Sequence, residues 1–267
     1  SVVMKDEVPT GSIVINKDGE FVYDTTLIKG HWYDLIFNYF KKSLAGVTFE
    51  VYAQEDIVSP DGLDTVYYKS GEHVGTIVTD DNGIGKMENL PLGKYYLVES
   101  ATIEGFVLDS NPIYADLSYI DQDTKVVYAG MDVTNERQKV QITVIKKDAE
   151  TEEALEGAIF GLYAKEDIVN LDGDVVIKAD TQIERVVTGK DGKAVFVSDL
   201  PLGKYYVTEW QAPAGYVKSD EIFDVDATYQ GDDIEIIEFE AEFDNTPIKV
   251  EFSKTDVTGE KELPGAN

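Results

Sequence analysis

The sequence predicts an all-β protein built from two tandem β-sandwich domains. Three observations carry that prediction. One long pattern occurs twice, at an offset of roughly 110 residues, a domain-sized period and not that of a solenoid. Within each copy, short strand-like runs are separated by turn dipeptides, Asp61-Gly62 and Asn82-Gly83 in the first and Asp172-Gly173 and Asp191-Gly192 in the second. Strands at that spacing read as a sandwich or barrel. Aromatic residues are abundant, with 16 tyrosines, as suits strands.

Size and charge narrow the function. The 267 residues have room for about two domains. No apolar run is long enough to span a membrane, and no signal peptide opens the chain. The pattern starts and stops part-way, so an excerpt of a longer polypeptide is expected. With 52 acidic against 23 basic residues, the net charge of −29 argues against nucleic acid and anionic membrane surfaces as partners. Without cysteine there is neither a disulfide nor thiolate chemistry. Only His31 and His73 are available, so a zinc site or a histidine-based triad is not expected. Acidic loops at Asp121-Gln122-Asp123 and Asp172-Gly173-Asp174 lack EF-hand spacing and read as solvated turns. Gly83-Ile84-Gly85 lacks the third glycine and the following helix of a dinucleotide site. No cofactor and no metal are expected.

Taken in order, the first copy opens with Ile13, Ile15 and Lys17 on one strand face. An insertion follows: 26 residues separate Lys17 from Leu44, against eight between Lys146 and Leu155 in the second copy. Within it, Trp32, Ile36 and Phe40 fall at helical spacing. This segment is expected to pack on its own domain; the functional alternative is an exposed aromatic patch for a partner. Gly46-Val47-Thr48-Phe49 begins the next strand, matched by Gly157-Ala158-Ile159-Phe160. The phrase Leu90-Pro91-Leu92-Gly93-Lys94-Tyr95-Tyr96-Leu97-Val98-Glu99 returns as Leu200-Pro201-Leu202-Gly203-Lys204-Tyr205-Tyr206-Val207-Thr208-Glu209. Each is a Pro/Gly turn running into a strand that carries a glutamate. By parity Glu99 shares a face with Tyr95 and Leu97, and Glu209 with Tyr205 and Val207. If that face is the core, a carboxyl is buried at a cost unless it is protonated or paired. The ordinary alternative puts both glutamates in solvent.

The closing strand of the first copy places Met131, Val133 and Asn135 on one face; the second places Ala241, Phe243 and Asn245 alike. The second copy opens with Ile142, Val144 and Lys146, and Lys147 points the other way. A third copy begins at Val250-Glu251-Phe252-Ser253-Lys254. The ending Leu263-Pro264-Gly265-Ala266 matches a sortase sorting signal at two positions only and repeats Leu155-Glu156-Gly157-Ala158 better. The domains are expected at 1–137, with an insertion at about 19–43, at 138–248, and at 249–267 for the start of a third.

The ordered set of motifs resembles the collagen-adhesin B-type (SpaA-like, prealbumin-like) domains of Gram-positive surface adhesins and pilins. The set is Lys-x-Asp, Leu-x-Gly-Ala-x-Phe-x-Leu-Tyr, Asp-Gly, Leu-Pro-x-Gly-x-Tyr-Tyr-x-x-Glu, Ala-Pro-x-Gly-Tyr and a late Asn. The second copy carries all of it, ending in Ala212-Pro213-Ala214-Gly215-Tyr216. The first is looser at Thr102-Ile103-Glu104-Gly105-Phe106. The resemblance implies an Ig-like or prealbumin-like sandwich in which a first-strand lysine joins a last-strand asparagine with help from a buried acid. Carried over, the isopeptide pairs are Lys17 with Asn135 and Lys146 with Asn245. Glu99 and Glu209 are the catalytic acids, and Lys254 is the nucleophile of the incomplete third copy. Such a reaction runs once per domain and turns over no substrate, so the protein is not an enzyme in the usual sense.

The resemblance further implies an extracellular, cell-wall-anchored stalk of an adhesin or pilus-associated protein, joined by sortase through other regions. The absence of a Tyr-Pro-Lys motif favours a stalk or accessory role over a shaft subunit. The alternative is a module binding a host matrix protein or glycan through residues 19–43. A glycosidase reading, with Glu99 and Glu209 as paired acids, fails because the two lie in different copies.

Overall fold

The computed structural model describes residues 8–30, 33–60 and 65–250. Among them every regular element is a strand. The first domain holds β1 (Thr10–Lys29), β2 (Tyr33–Ser43), β3 (Thr48–Ala53), β4 (Ile57–Val58), β5 (Val66–Tyr68), β6 (His73–Val78), β7 (Ile84–Leu90), β8 (Lys94–Ala101), β9 (Ile113–Asp116) and β10 (Val126–Asn135). The second holds β11 (Lys139–Asp148), β12 (Ile159–Ala164), β13 (Ile168–Val169), β14 (Val175–Ile177), β15 (Gln182–Val187), β16 (Lys193–Val195), β17 (Gly203–Gln211), β18 (Ile222–Ala227) and β19 (Ile236–Asn245).

Each domain is two main sheets around its own core, and each also carries a two-stranded sheet, β4-β5 in the first and β13-β14 in the second. In the first, β1 pairs in parallel with β10 and antiparallel with β7 and β2, facing a sheet of order β6-β3-β8-β9. In the second, β16-β11-β19 faces β15-β12-β17-β18. The cores follow from strict alternation. Ile13, Ile15, Phe49, Val51, Tyr95 and Leu97 are buried in the first, and Ile142, Val144, Phe160, Leu162, Tyr205 and Val207 in the second. Inward side chains of both sheets meet as in any sandwich.

The repeated Leu-Pro-x-Gly-x-Tyr phrase now has a physical reason. The hydroxyls of Tyr95 and Tyr205 each donate to the carbonyl four residues back, on Pro91 and Pro201, at 2.6 Å in both domains. A fully buried phenol thereby keeps a partner, and the turn is pinned to the strand that follows it.

The insertion differs from expectation in two ways. It is no helix: β1 runs on past Lys17 to Lys29 and folds back as β2, a long antiparallel hairpin. Nor does it pack solely on its own domain. Phe37 is buried in the core cluster of the second domain, with Val22, Leu35 and Tyr39 packed against that cluster. Phe21, near the root, stays with the first domain, edge-on to Phe106 at 5.2 Å. Trp32 and His31 lie outside the described residues, as does the opening of the third copy with Lys254.

Candidate functional site

The site in each domain is built by the parallel pairing of its first and last strands. In the first, Lys17 lies opposite Val133, and Asn135 stands two residues further along β10. In the second, Lys146 lies opposite Phe243, and Asn245 again stands two further along. A two-residue step keeps the side chain on the same face, so both members of each pair point inward. The acid arrives from the facing sheet. Register sets Glu99 against Phe49 and Glu209 against Phe160, which makes one wall of the site aromatic.

All six predicted residues are buried to 2% exposure or less, so the solvent-face alternative for the glutamates fails. Alternation explains why. A glutamate two residues beyond Leu97 or Val207 has no other face to occupy. The chain gains from this only if the carboxyl finds partners.

In the first domain the Lys17 Nζ donates to the Asn135 Oδ1 at 2.5 Å and lies 3.5 Å from the Glu99 Oε2. The Asn135 Nδ2 donates to the Glu99 Oε1 at 2.5 Å and to the Thr102 hydroxyl oxygen at 2.8 Å. In the second domain the Lys146 Nζ is 3.9 Å from the Glu209 Oε1. The Asn245 Nδ2 donates to the Glu209 Oε2 at 2.9 Å and to the Val217 carbonyl at 2.7 Å. The backbone N–H of Ser219 also donates to the Glu209 Oε2, at 2.6 Å. Here the Lys146 Nζ, Glu209 Oε1 and Asn245 Oδ1 are buried without hydrogen-bond partners. Three unmatched polar atoms in one pocket are an expensive arrangement.

Burial also shifts the protonation states. It pushes the Lys17 ammonium below its ordinary range, against the opposing attraction of Glu99. It pushes the Glu99 carboxyl above its ordinary range, against the hydrogen bond from Asn135 and the charge of Lys17. Lys146 is lowered by the same desolvation, with Glu209 opposing. In the first domain the direction is toward a neutral amine beside a neutral acid, and in the second toward a neutral amine.

Sequence reasoning missed several supporting groups. Gly83 and Gly192, both at φ +71°, were legible only as turn residues. Their carbonyls accept the backbone N–H groups of Lys17 and Lys146 at 2.8 Å in each case. A Cβ on either would collide with the carbonyl of that same lysine, so each turn is seated on the nucleophile's own backbone. Thr102 carried no motif signal in the looser first copy. Nor did the backbone groups of Val217 and Ser219, which no residue type announces.

Lys147, the neighbour considered for the second domain, lies on the outer face and pairs with Glu242 at 3.8 Å. Replacing Lys147 with Ala is therefore expected to leave any product of this site unchanged, whereas Lys146→Ala removes it; intact mass distinguishes the two. Among the described residues no group of three or more His, Cys, Asp or Glu could hold a metal ion, and no helix is long and apolar enough to cross a membrane.

Two tandem sandwiches with parallel end strands define a fold class, and the comparisons agree with that fold. A family model described as the SpaA prealbumin-like fold domain matches residues 39–132 and 140–240. The chain belongs to that family. Among solved structures, the Bacillus anthracis TIE protein superposes with a TM-score of 0.56 at 24% identity, over 90% of this chain and 34% of that one. A streptococcal ancillary pilin gives 0.31 at 24% identity, over 90% and 62%. The shaft pilin SpaA of Lactobacillus rhamnosus GG gives 0.30 at 21%, over 90% and 99%. The chain thus spans about a third of the TIE structure and less than two thirds of the ancillary pilin. No curated protein matches it.

Proposed function

We propose that this chain is a stalk segment of a Gram-positive surface protein, an adhesin or pilus component, whose domains each weld their first strand to their last through a Lys–Asn isopeptide bond. One observation carries the reading. The same lysine, glutamate and asparagine converge twice, buried, at the same two-residue stagger between parallel strands.

The chemistry follows from the geometry. Proton transfer from ammonium to carboxylate inside the pocket leaves a nucleophilic amine and a neutral acid. The Nζ attacks the asparagine Cγ, and the acid hydrogen-bonds the developing oxyanion. The Cγ–Nδ2 bond then breaks. Of the three ammonium protons, one stays on the new amide, one leaves with the ammonia and one resides on the glutamate. Folding supplies the proximity, worth roughly 7–11 kcal/mol of barrier in well-oriented systems. In the second domain the new bond would take up the Lys146 Nζ, one of the groups now unmatched.

Extracellular placement and sortase-made linkage to the wall or a pilus accompany this reading, through the family resemblance. On this reading the domains are 1–137 and 138–248, which puts their boundary in the connection between the end of β10 and the start of β11. A module that binds a host ligand through residues 19–43 is disfavoured, because Leu35, Phe37 and Tyr39 already face the second domain. Intact-mass measurement tests the proposal. Each bond removes about 17 Da as ammonia, so the purified chain should weigh about 34 Da less than its sequence; a mass equal to the sequence mass refutes the cross-link.

A further inference from the structure

We propose that the β1–β2 hairpin is an inter-domain strut: it completes the core of the second domain and, together with Arg137, holds the two domains at one fixed angle. The inference goes beyond the cross-links and does not depend on whether they form.

The first support is the hairpin's composition of contacts. Phe37 is only 4% exposed, and it is buried among side chains of the other domain. The Tyr39 hydroxyl donates to the Asp199 carbonyl at 2.7 Å, and the Asn170 amide donates to the Tyr23 carbonyl at 3.3 Å. Both bonds cross the domain boundary. A side chain that fills a neighbour's core is part of that neighbour's fold.

The second support is the connection. Only residues 136–138 separate β10 from β11, and two of the three are buried. Flexible linkers are exposed and carry few contacts; this one is the reverse. The Arg137 guanidinium lies 3.9 Å from the centre of the Tyr39 ring, pairs with the Asp199 carboxylate and donates to the Leu200 carbonyl at 3.2 Å. The Gln138 amide donates to the carbonyls of Gly231 at 2.6 Å and Ile234 at 2.9 Å. Strut, linker and second domain therefore share one arginine, held by an aromatic face and a carboxylate together.

The third support is an internal comparison. In the first domain, Val58, Pro60, Pro91 and Leu92 line an open apolar groove at the leading end. Their repeat counterparts Val169, Leu171, Pro201 and Leu202 line the junction with Val22 and Tyr39. Among the described residues the hairpin meets this surface in the second copy, whereas in the first Val8, Pro9, Thr10, Tyr67 and Tyr119 border it.

Nuclear relaxation on the unmodified chain should give one rotational correlation time for both domains. The double variant Phe37→Ser/Tyr39→Ala should split it into two and speed thermolysin cleavage within the second domain by about tenfold, as its open population rises. Independent tumbling in the unmodified chain overturns the proposal. So does a variant that tumbles as one body and is cleaved at the unmodified rate. Should the double variant not fold, Arg137→Met replaces it with the same two readouts, and the unmodified measurement decides regardless.

Discussion

A chain carrying Glu209→Gln is expected to fold and to leave Lys146 and Asn245 unjoined. Glutamine keeps the volume of the side chain and can still accept from the Asn245 Nδ2. It cannot take the ammonium proton, so the amine stays charged and the attack does not start. The variant should show a deficit of about 17 Da, from the first domain alone, instead of about 34 Da. The stability effect should be large. The bond closes a loop of about 100 residues, for which constraint of the unfolded chain is worth about 4–5 kcal/mol. In a domain of this size each kcal/mol moves Tm by about 4–8 °C. A separate melting transition for the second domain, lower by about 20 °C or more, should therefore appear in calorimetry. Full cross-linking in this variant would remove Glu209 from the mechanism.

Pulling experiments should show the second large effect. In the unmodified chain neither domain should extend under force, because tension enters on the first strand, crosses the bond and leaves on the last. In Asn245→Ala the second domain has no bond, and its parallel β11–β19 pairing is held by hydrogen bonds alone. Unfolding should then release the roughly 100 residues between positions 146 and 245, a step of about 350 Å at about 3.5 Å per residue. Steps of that length in the unmodified chain, at the same force, would count against the bond.

Much of this was legible in the sequence because strand parity is a strict rule. Glu99 and Glu209 stand two residues beyond Leu97 and Val207, so parity tied them to one face, and burial in the structure makes that face the inward one. The same parity separated Lys146 from Lys147. What parity could not supply was the fold of the insertion. Trp32, Ile36 and Phe40 fit a helix, but Leu35, Phe37 and Tyr39 fit a strand equally, and the strand is what forms. The segment is apolar on alternate positions because its inward face belongs to a domain that begins about a hundred residues later. A single-domain reading of periodicity has no access to that face. The role of Arg137 was hidden for the same reason. Its partners Tyr39, Asp199 and Leu200 are distant in sequence on both sides, and a lone arginine in a linker reads as a solvated charge.

The parallel pairing of end strands has a consequence for damage. With both bonds in place, the covalent route from Thr10 to Asn245 runs along β1 to Lys17, across to Asn135, through three residues into β11, and from Lys146 across to Asn245. Residues 18–134 and 147–244 hang from that route as closed rings. A protease that nicks a loop in either ring opens the ring without severing the molecule, so whatever lies beyond each end stays attached after the cut.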